Sequence, residues 1–199
     1  METTKVSSTV ETEITTSTDG KNTYEIKKTF KNREGDKAIV ILLYPTKNAD
    51  NIAADDNTTQ HIVSHINDLN LSELRIINLF SKVVTGGKMS YKGLQPDDDN
   101  LAYIESIMSK KDFKEYKFVI AWGCSMSSSK VCSECKKRVL EMFIKHSADG
   151  KAYNIVPQDA DIDEFAPHPL WLGIRYKFAK WQLNPLKISK NLIDKMYPN

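Results

Sequence analysis

The sequence lacks any run of about 18 apolar residues, the length a membrane-spanning helix requires. Its first residues also lack the apolar segment of an export signal. A cytoplasmic protein with no membrane partner is therefore expected. Cysteine is scarce: three thiols, an odd number, fit a reducing compartment better than a disulfide framework. An excess of one charge is missing too. The chain has 28 Lys+Arg against 26 Asp+Glu and a net charge of +2, which excludes histone-like binding of nucleic acid by bulk charge. With 40% hydrophobic residues the chain can build a core, so wholesale disorder is excluded as well. Three motifs are absent: the G-x-x-x-x-G-K-[ST] phosphate loop, the G-x-G-x-x-G dinucleotide fingerprint and the G-x-S-x-G nucleophile elbow. A P-loop nucleotidase, a dinucleotide oxidoreductase and an α/β-hydrolase thus have no support. No internal repeat and no long linker occur.

What is present is a series of short, mainly apolar runs. Ala38 to Tyr44 reads as a strand buried on both faces, Leu74 to Phe80 as a second buried strand, Lys117 to Trp122 as a third strand and Ala152 to Val156 as a short fourth. Between them lie helical patterns. One is capped near Asn57 and carries Ile62, Val63, Ile66 and Leu69. A second carries Leu101, Ile104 and Met108, and a third begins at Ser127–Ser129 and carries Val139, Leu140 and Phe143. A final helix is predicted from Pro185, where a missing N–H costs nothing. Thr23 to Phe30 alternates like a half-exposed strand after an Asp19-Gly20 turn. The expected fold is α/β: a three-layer sandwich with a mainly parallel central sheet of about four strands, helices on both faces, and an N-terminal β-hairpin extending one edge. Residues 1–22 are expected to be a flexible or edge-strand segment, and 23–199 one α/β domain.

In such folds ligands bind beyond the carboxyl ends of the strands. The corresponding segments run from Tyr44-Pro45-Thr46 to Thr58, from Asn78 to Asn100 (with Gly86-Gly87 in a long loop), from Trp122-Gly123 to Ser129, and from Val156 to Leu170. They concentrate the polar and turn-forming residues. Asp55-Asp56-Asn57-Thr58 either caps a helix or offers a carboxylate that orients water or binds a ribose hydroxyl. Asp97-Asp98-Asp99 reads as a solvated cap. Asn78, in an apolar run, either ties two loops together or reads a nucleobase edge with one donor and one acceptor. His168, between Pro167 and Pro169, sits on a stiff backbone that can aim an imidazole as hydrogen-bond donor or general acid/base.

Cys132 and Cys135, with Cys124 and His146, do not have the spacing of a zinc finger, and reduced thiols are expected. No metal and no cofactor is expected. Residues 1–100 carry 12 basic and 15 acidic side chains, residues 101–199 carry 16 and 11, so the second half is the more basic. Trp171, Tyr176, Phe178 and Trp181 interleave with Arg175, Lys177 and Lys180. The pattern suits an edge strand, or a surface that stacks bases and holds phosphates.

In order and spacing, several segments resemble an uncharacterised bacterial and phage family, domain of unknown function 1643. They are Tyr24–Phe30, Ile41–Thr46, Asp55-Asp56-Asn57-Thr58, Asn78-Leu79-Phe80, Ala121-Trp122-Gly123 and His168-Pro169-Leu170. A more distant resemblance is to the uracil-DNA glycosylase superfamily, through Tyr44-Pro45-Thr46, Asn78, Trp122-Gly123 and His168-Pro169. That resemblance implies a base-reading Asn78, a His168 that stabilises a leaving base, and an acidic group that orients water. Tyr44 stands where both patterns more often carry Asn, and a phenol of pKa ~10 activates water poorly. Asp55 and Asp56 are the candidates for that role, and base recognition carries over better than base excision. Two functions follow as expectations. One is a nucleotide- or nucleobase-binding protein, with Asn78 and Tyr44 on the base and Arg175 on phosphate, which sequesters a nucleotide signal or engages nucleic acid. The other is an N-glycosidic hydrolase that uses Asp55 or Asp56 with His168.

Overall fold

A computed structural model describes residues 1–198 except 86, 88, 91 and 93. Part of the expected long loop after Asn78, Gly86 included, lies outside the described residues.

Chain order runs β1 (Thr9–Thr16), β2 (Thr23–Lys31), β3 (Asp36–Leu42), α1 (Asn57–Ser64), β4 (Leu71–Asn78), α2 (Asp98–Met108), β5 (Tyr116–Ile120), α3 (Lys130–His146), β6 (Lys151–Pro157), α4 (Pro169–Arg175), β7 (Trp181–Lys187) and α5 (Lys190–Met196). The strands form one sheet in the order β1-β2-β4-β3-β5-β6-β7. This corrects the expected mainly parallel sheet of about four strands. The sheet has seven strands and is mixed: β1/β2, β2/β4 and β6/β7 are antiparallel, while β3/β4, β3/β5 and β5/β6 are parallel.

The discrepancy has a physical cause. The four apolar runs mark only strands buried on both faces. The hairpin strand β2 is not a mere edge, because Glu25 to Thr29 pair with Glu73 to Ile77 of β4. β7 is held by a backbone ladder to β6 while most of its side chains stay in solvent. Pro185, expected to open the last helix, lies inside β7, where an edge strand tolerates a residue without an N–H. The last helix starts at Lys190 instead, capped by Ser189. Trp171 to Arg175 are helical rather than an edge strand.

Side chains alternate across the sheet as the pleat requires. Ile39 and Ile41 of β3 pack with Phe118 and Ile120 of β5 under α2, α3 and α5, around Ile104, Val139 and Phe143. Ala38, Val40, Val119 and Ala121 face the opposite way, toward Ile62 of α1 and Leu172 of α4. Each fully buried large side chain contributes about 1.5–3 kcal/mol. α1 and α4 approach closely because Gly173 leaves room: a Cβ there would lie 2.1 Å from His61 Nδ1. Among the described residues no helix is long and apolar enough to cross a membrane.

The chain passes from β3 outward to β4, then back across β3 to β5. That reversal makes the gap between the carboxyl ends of β3 and β5 the switch point, where open α/β sheets place their ligands.

Candidate functional site

A cavity of ≈ 480 Å³ opens at this point, between the segments that follow β3 and β5, the end of β4, and the start of α4. Of the residues singled out in the sequence, Tyr44, Pro45, Thr46, Asp56, Thr58, Asn78 and His168 line it.

The segment after β3 is fixed by its own hydrogen bonds. The Val84 amide donates to the Pro45 carbonyl (2.9 Å) and the Thr23 hydroxyl to the Lys47 carbonyl (2.8 Å). Asp56, not Asn57, caps α1: its Oδ1 accepts from the Thr59 amide (2.7 Å) and its Oδ2 from the Thr46 hydroxyl (2.6 Å). One carboxylate thus starts the helix and draws the loop across the cavity wall.

Asp55 is directed elsewhere. Its carboxylate pairs with the ammonium groups of Lys28 (2.9 Å) and Lys47 (3.5 Å), whose side chains are each 6% exposed. Lys28 also donates to the Thr12 hydroxyl (3.1 Å), and Lys47 to the Ile52 carbonyl (2.9 Å). Asp55 is the counter-ion that permits two lysines to be buried, and it does not line the cavity.

Asn78 closes β4 and is 3% exposed. Its backbone carbonyl accepts from the Asn100 side-chain amide (2.7 Å), which ties β4 to α2. Its own Oδ1 is buried and meets no hydrogen-bond partner among the described residues. A buried amide oxygen without a partner costs roughly 1–3 kcal/mol. An oxygen of this kind in a cavity wall is left to accept from water or from a ligand.

His168 caps α4, its Nδ1 accepting from the Leu170 amide (3.3 Å). Burial pushes its pKa down to about 4, opposed by the nearby negative charge of Asp56. The ring is therefore neutral at pH 7. With Nδ1 accepting, the proton resides on Nε2. Gly123 supports the ring from behind, at φ +70°, and its amide donates to the Ala166 carbonyl (2.7 Å). The buried ammonium of Lys136 donates to the Gly123 carbonyl (3.3 Å) and lies 5.7 Å from the Trp122 ring centre. Burial lowers the pKa of this lysine. Trp122 is itself part of the core beneath, and neither it nor Gly123 lines the cavity. Arg175, at the end of α4, is exposed and lies outside the lining.

Met126, Trp171 and Ile174 also line the wall; Met126 lies in the expected segment after Trp122 and Trp171 in the aromatic–basic stretch, but neither was singled out for this cavity, and Ile174 was not foreseen. Met126 has φ +61°, a conformation costly for a residue with a side chain, and no local sequence pattern announces it. Trp171 and Ile174 follow directly from His168 by helical spacing, so the short helix was the missing signal. The lining contains no lysine or arginine and a single carboxylate, Asp56, among the described residues. Such a surface suits an uncharged, largely flat group with a few polar edges.

A second cavity of ≈ 770 Å³ lies between Lys82, Leu94 and the start of α2. Asp97 borders it, but its carboxylate is engaged: it accepts from the amide (2.7 Å) and hydroxyl (2.8 Å) of Ser81 and caps α2 through the Asn100 amide (3.1 Å). It is a tie between loops more than a solvated cap. Cys132 and Cys135 are buried on α3, and burial raises the Cys135 thiol to about 11. Among the described residues no group of three or more His, Cys, Asp and Glu side chains is arranged to hold a metal ion.

The model of one protein family, described as a protein of unknown function (DUF1643), matches residues 24–170, from the second strand to the start of α4. No curated protein and no solved structure matches the chain.

Proposed function

The chain belongs to this family of unknown function, DUF1643, and we propose that its strand-exit cavity binds a nucleobase-containing ligand. The observation that carries the reading is Asn78: an amide 3% exposed, in the cavity wall, whose Oδ1 has no partner among the described residues. An amide presents a donor and an acceptor side by side, which is the pattern a base edge complements. Tyr44, Met126 and Leu170 supply flat or adaptable apolar surface for the ring faces. The absence of lysine and arginine from the lining among the described residues fits a base or nucleoside moiety inside the cavity, with any phosphate left at its mouth on the side of Arg175. Sequestration of a nucleotide signal is one functional form of this reading. Calorimetry against nucleosides and mono-, di- and cyclic nucleotides tests it: heat is expected with at least one, and is lost in Asn78→Leu. No heat with any of them overturns the reading.

One pair of residues favours a second reading, N-glycosidic hydrolysis. Asp56 and His168 line the same cavity and interact electrostatically. Water attacking the anomeric carbon gives its proton to the Asp56 carboxylate. The bond to the base nitrogen breaks, its electron pair leaves with the base, and the neutral His168 donates a hydrogen bond from Nε2 to the developing anion. Asp55, the other candidate, is withdrawn into its lysine pair. Release of free base from a panel of oligonucleotides, abolished in His168→Ala, supports this chemistry. Turnover unchanged in that variant removes it, and return of intact ligand leaves binding alone.

A further inference from the structure

Few large apolar side chains are exposed on the described surface, and three of them fall close together in sequence beside the cavity. Trp171 (42% exposed) and Ile174 (72%) line its mouth, and Phe178 (93%) stands four residues further on. Cations accompany them. Arg175, Lys177 and Lys180 are exposed, and the Lys177 ammonium lies 5.5 Å from the Phe178 ring centre. No acidic residue occurs from Phe165 to Ile193. The carboxylates of Asp159, Asp161, Asp163 and Glu164 precede this stretch. The Gln158 amide donates to the Lys180 carbonyl (2.8 Å), so the acidic loop adjoins the basic surface at Lys180. Most of this surface lies beyond residue 170, where the family match ends.

We propose that α4 and the turn after it are a docking surface for single-stranded nucleic acid, which delivers one base to the cavity and stacks a neighbouring base on Phe178. The inference rests on the reading of the cavity as a base site. It follows from how the charges are distributed. A free mononucleotide has its phosphate in one place and calls for convergent cations. Among the described residues the cavity lining has none, and three exposed cations lie within three residues of Phe178 in sequence, the Lys177 ammonium 5.5 Å from its ring centre. Spread cations suit a chain of phosphates, and an exposed ring suits the face of a base. A duplex hides its base faces and offers Phe178 nothing to stack on.

The test uses the full chain and fluorescein-labelled 12-mers of mixed sequence, as single-stranded DNA, single-stranded RNA and duplex DNA, read by fluorescence anisotropy. A single-stranded 12-mer is expected to bind more tightly than any mononucleotide and than the duplex. Phe178→Ala weakens it roughly tenfold, without altering mononucleotide binding by calorimetry. Replacing Arg175, Lys177 and Lys180 with Gln flattens a log–log salt dependence of slope about −2. Phe178 is so exposed that its loss leaves the fold intact, which circular dichroism verifies. The DNA and RNA arms identify the kind of strand. The proposal is overturned if no 12-mer exceeds a mononucleotide, if the duplex binds equally well, or if Phe178→Ala has no effect. Mononucleotide binding abolished by Asn78→Leu, with no preference for the 12-mer, defeats this inference and leaves the cavity reading standing. Silence of both ligand classes defeats both.

Discussion

Gly123 and His168 are in contact so close that a Cβ on residue 123 would lie 2.9 Å from the Cβ of His168. The strand-exit turn and the loop bearing the imidazole are therefore one packed unit, and Gly123 also has the positive φ that glycine alone adopts without cost. Gly123→Ala meets both penalties. A loss of about 2 kcal/mol in urea unfolding is expected. A changed His168 ring signal by NMR is expected with it, because the ring must move. An unchanged His168 signal would show that the turn yields instead.

Asn78 separates stability from binding. Its Oδ1 has no partner among the described residues, so Asn78→Leu removes an unmet polar atom and keeps the volume. Thermal stability is expected to stay level or rise. Ligand binding is expected to fall at least tenfold, because the base edge loses both of its partners. A variant that loses stability as well would mean the amide is structurally engaged.

The adjacent carboxylates Asp55 and Asp56 should behave in opposite ways. Asp55→Asn strands two buried lysines without a counter-charge, and about 3 kcal/mol of stability is expected to go. Asp56→Asn keeps an oxygen that can still accept from the Thr59 amide, so about 1 kcal/mol or less is at stake. Ligand turnover, where present, depends on Asp56 and not on Asp55. Denaturant midpoints of the two variants, set beside base-release assays, decide it.

His168 links the site to acid. Its folded pKa of about 4 lies below the ordinary value of 6.5, so the folded state resists protonation. As pH falls below about 6.5 the unfolded chain takes up a proton that the folded chain refuses, and stability declines until the folded ring titrates near 4. Above 6.5 the group contributes no pH dependence. Melting temperature is expected to drop between pH 6.5 and 4 more steeply in the wild type than in His168→Gln. An NMR titration midpoint of 6 or above for His168 would contradict the burial described.

Much of the site was legible because its frame was. The apolar runs ending near Tyr44, Asn78 and Trp122 locate the carboxyl ends of the inner strands, and the residues beyond them include Thr46, Asp56 and Asn78 of the cavity wall. What remained hidden depends on distant partners or on backbone geometry. The choice between Asp55 and Asp56 is made by Lys28, far back in the chain, which no local pattern reveals. Trp122 carries the same signature whether it faces a ligand or the core, and it faces the core. β7 has neither an apolar run nor a clean alternation, and its proline suggests a helix start. Met126 adopts its left-handed conformation without any residue that favours it.

The strand order also governs how the chain meets water during its synthesis. β2 is finished at Lys31, but the strand that covers its inner edge, β4, ends only at Asn78. At 5–20 residues per second the ribosome needs roughly 2–9 s to supply it. A hairpin formed in that interval has both ladder edges open, that of β2 as well as that of β1, which stays an edge in the finished sheet. Its cross-strand pairs, Lys31 with Glu11 (2.6 Å) and Lys27 with Glu13 (3.6 Å), place opposite charges along the ribbon. Charges of this kind discourage pairing with another nascent chain, so the segment that finally supplies Ile26 to the cavity wall reaches β4 unclaimed.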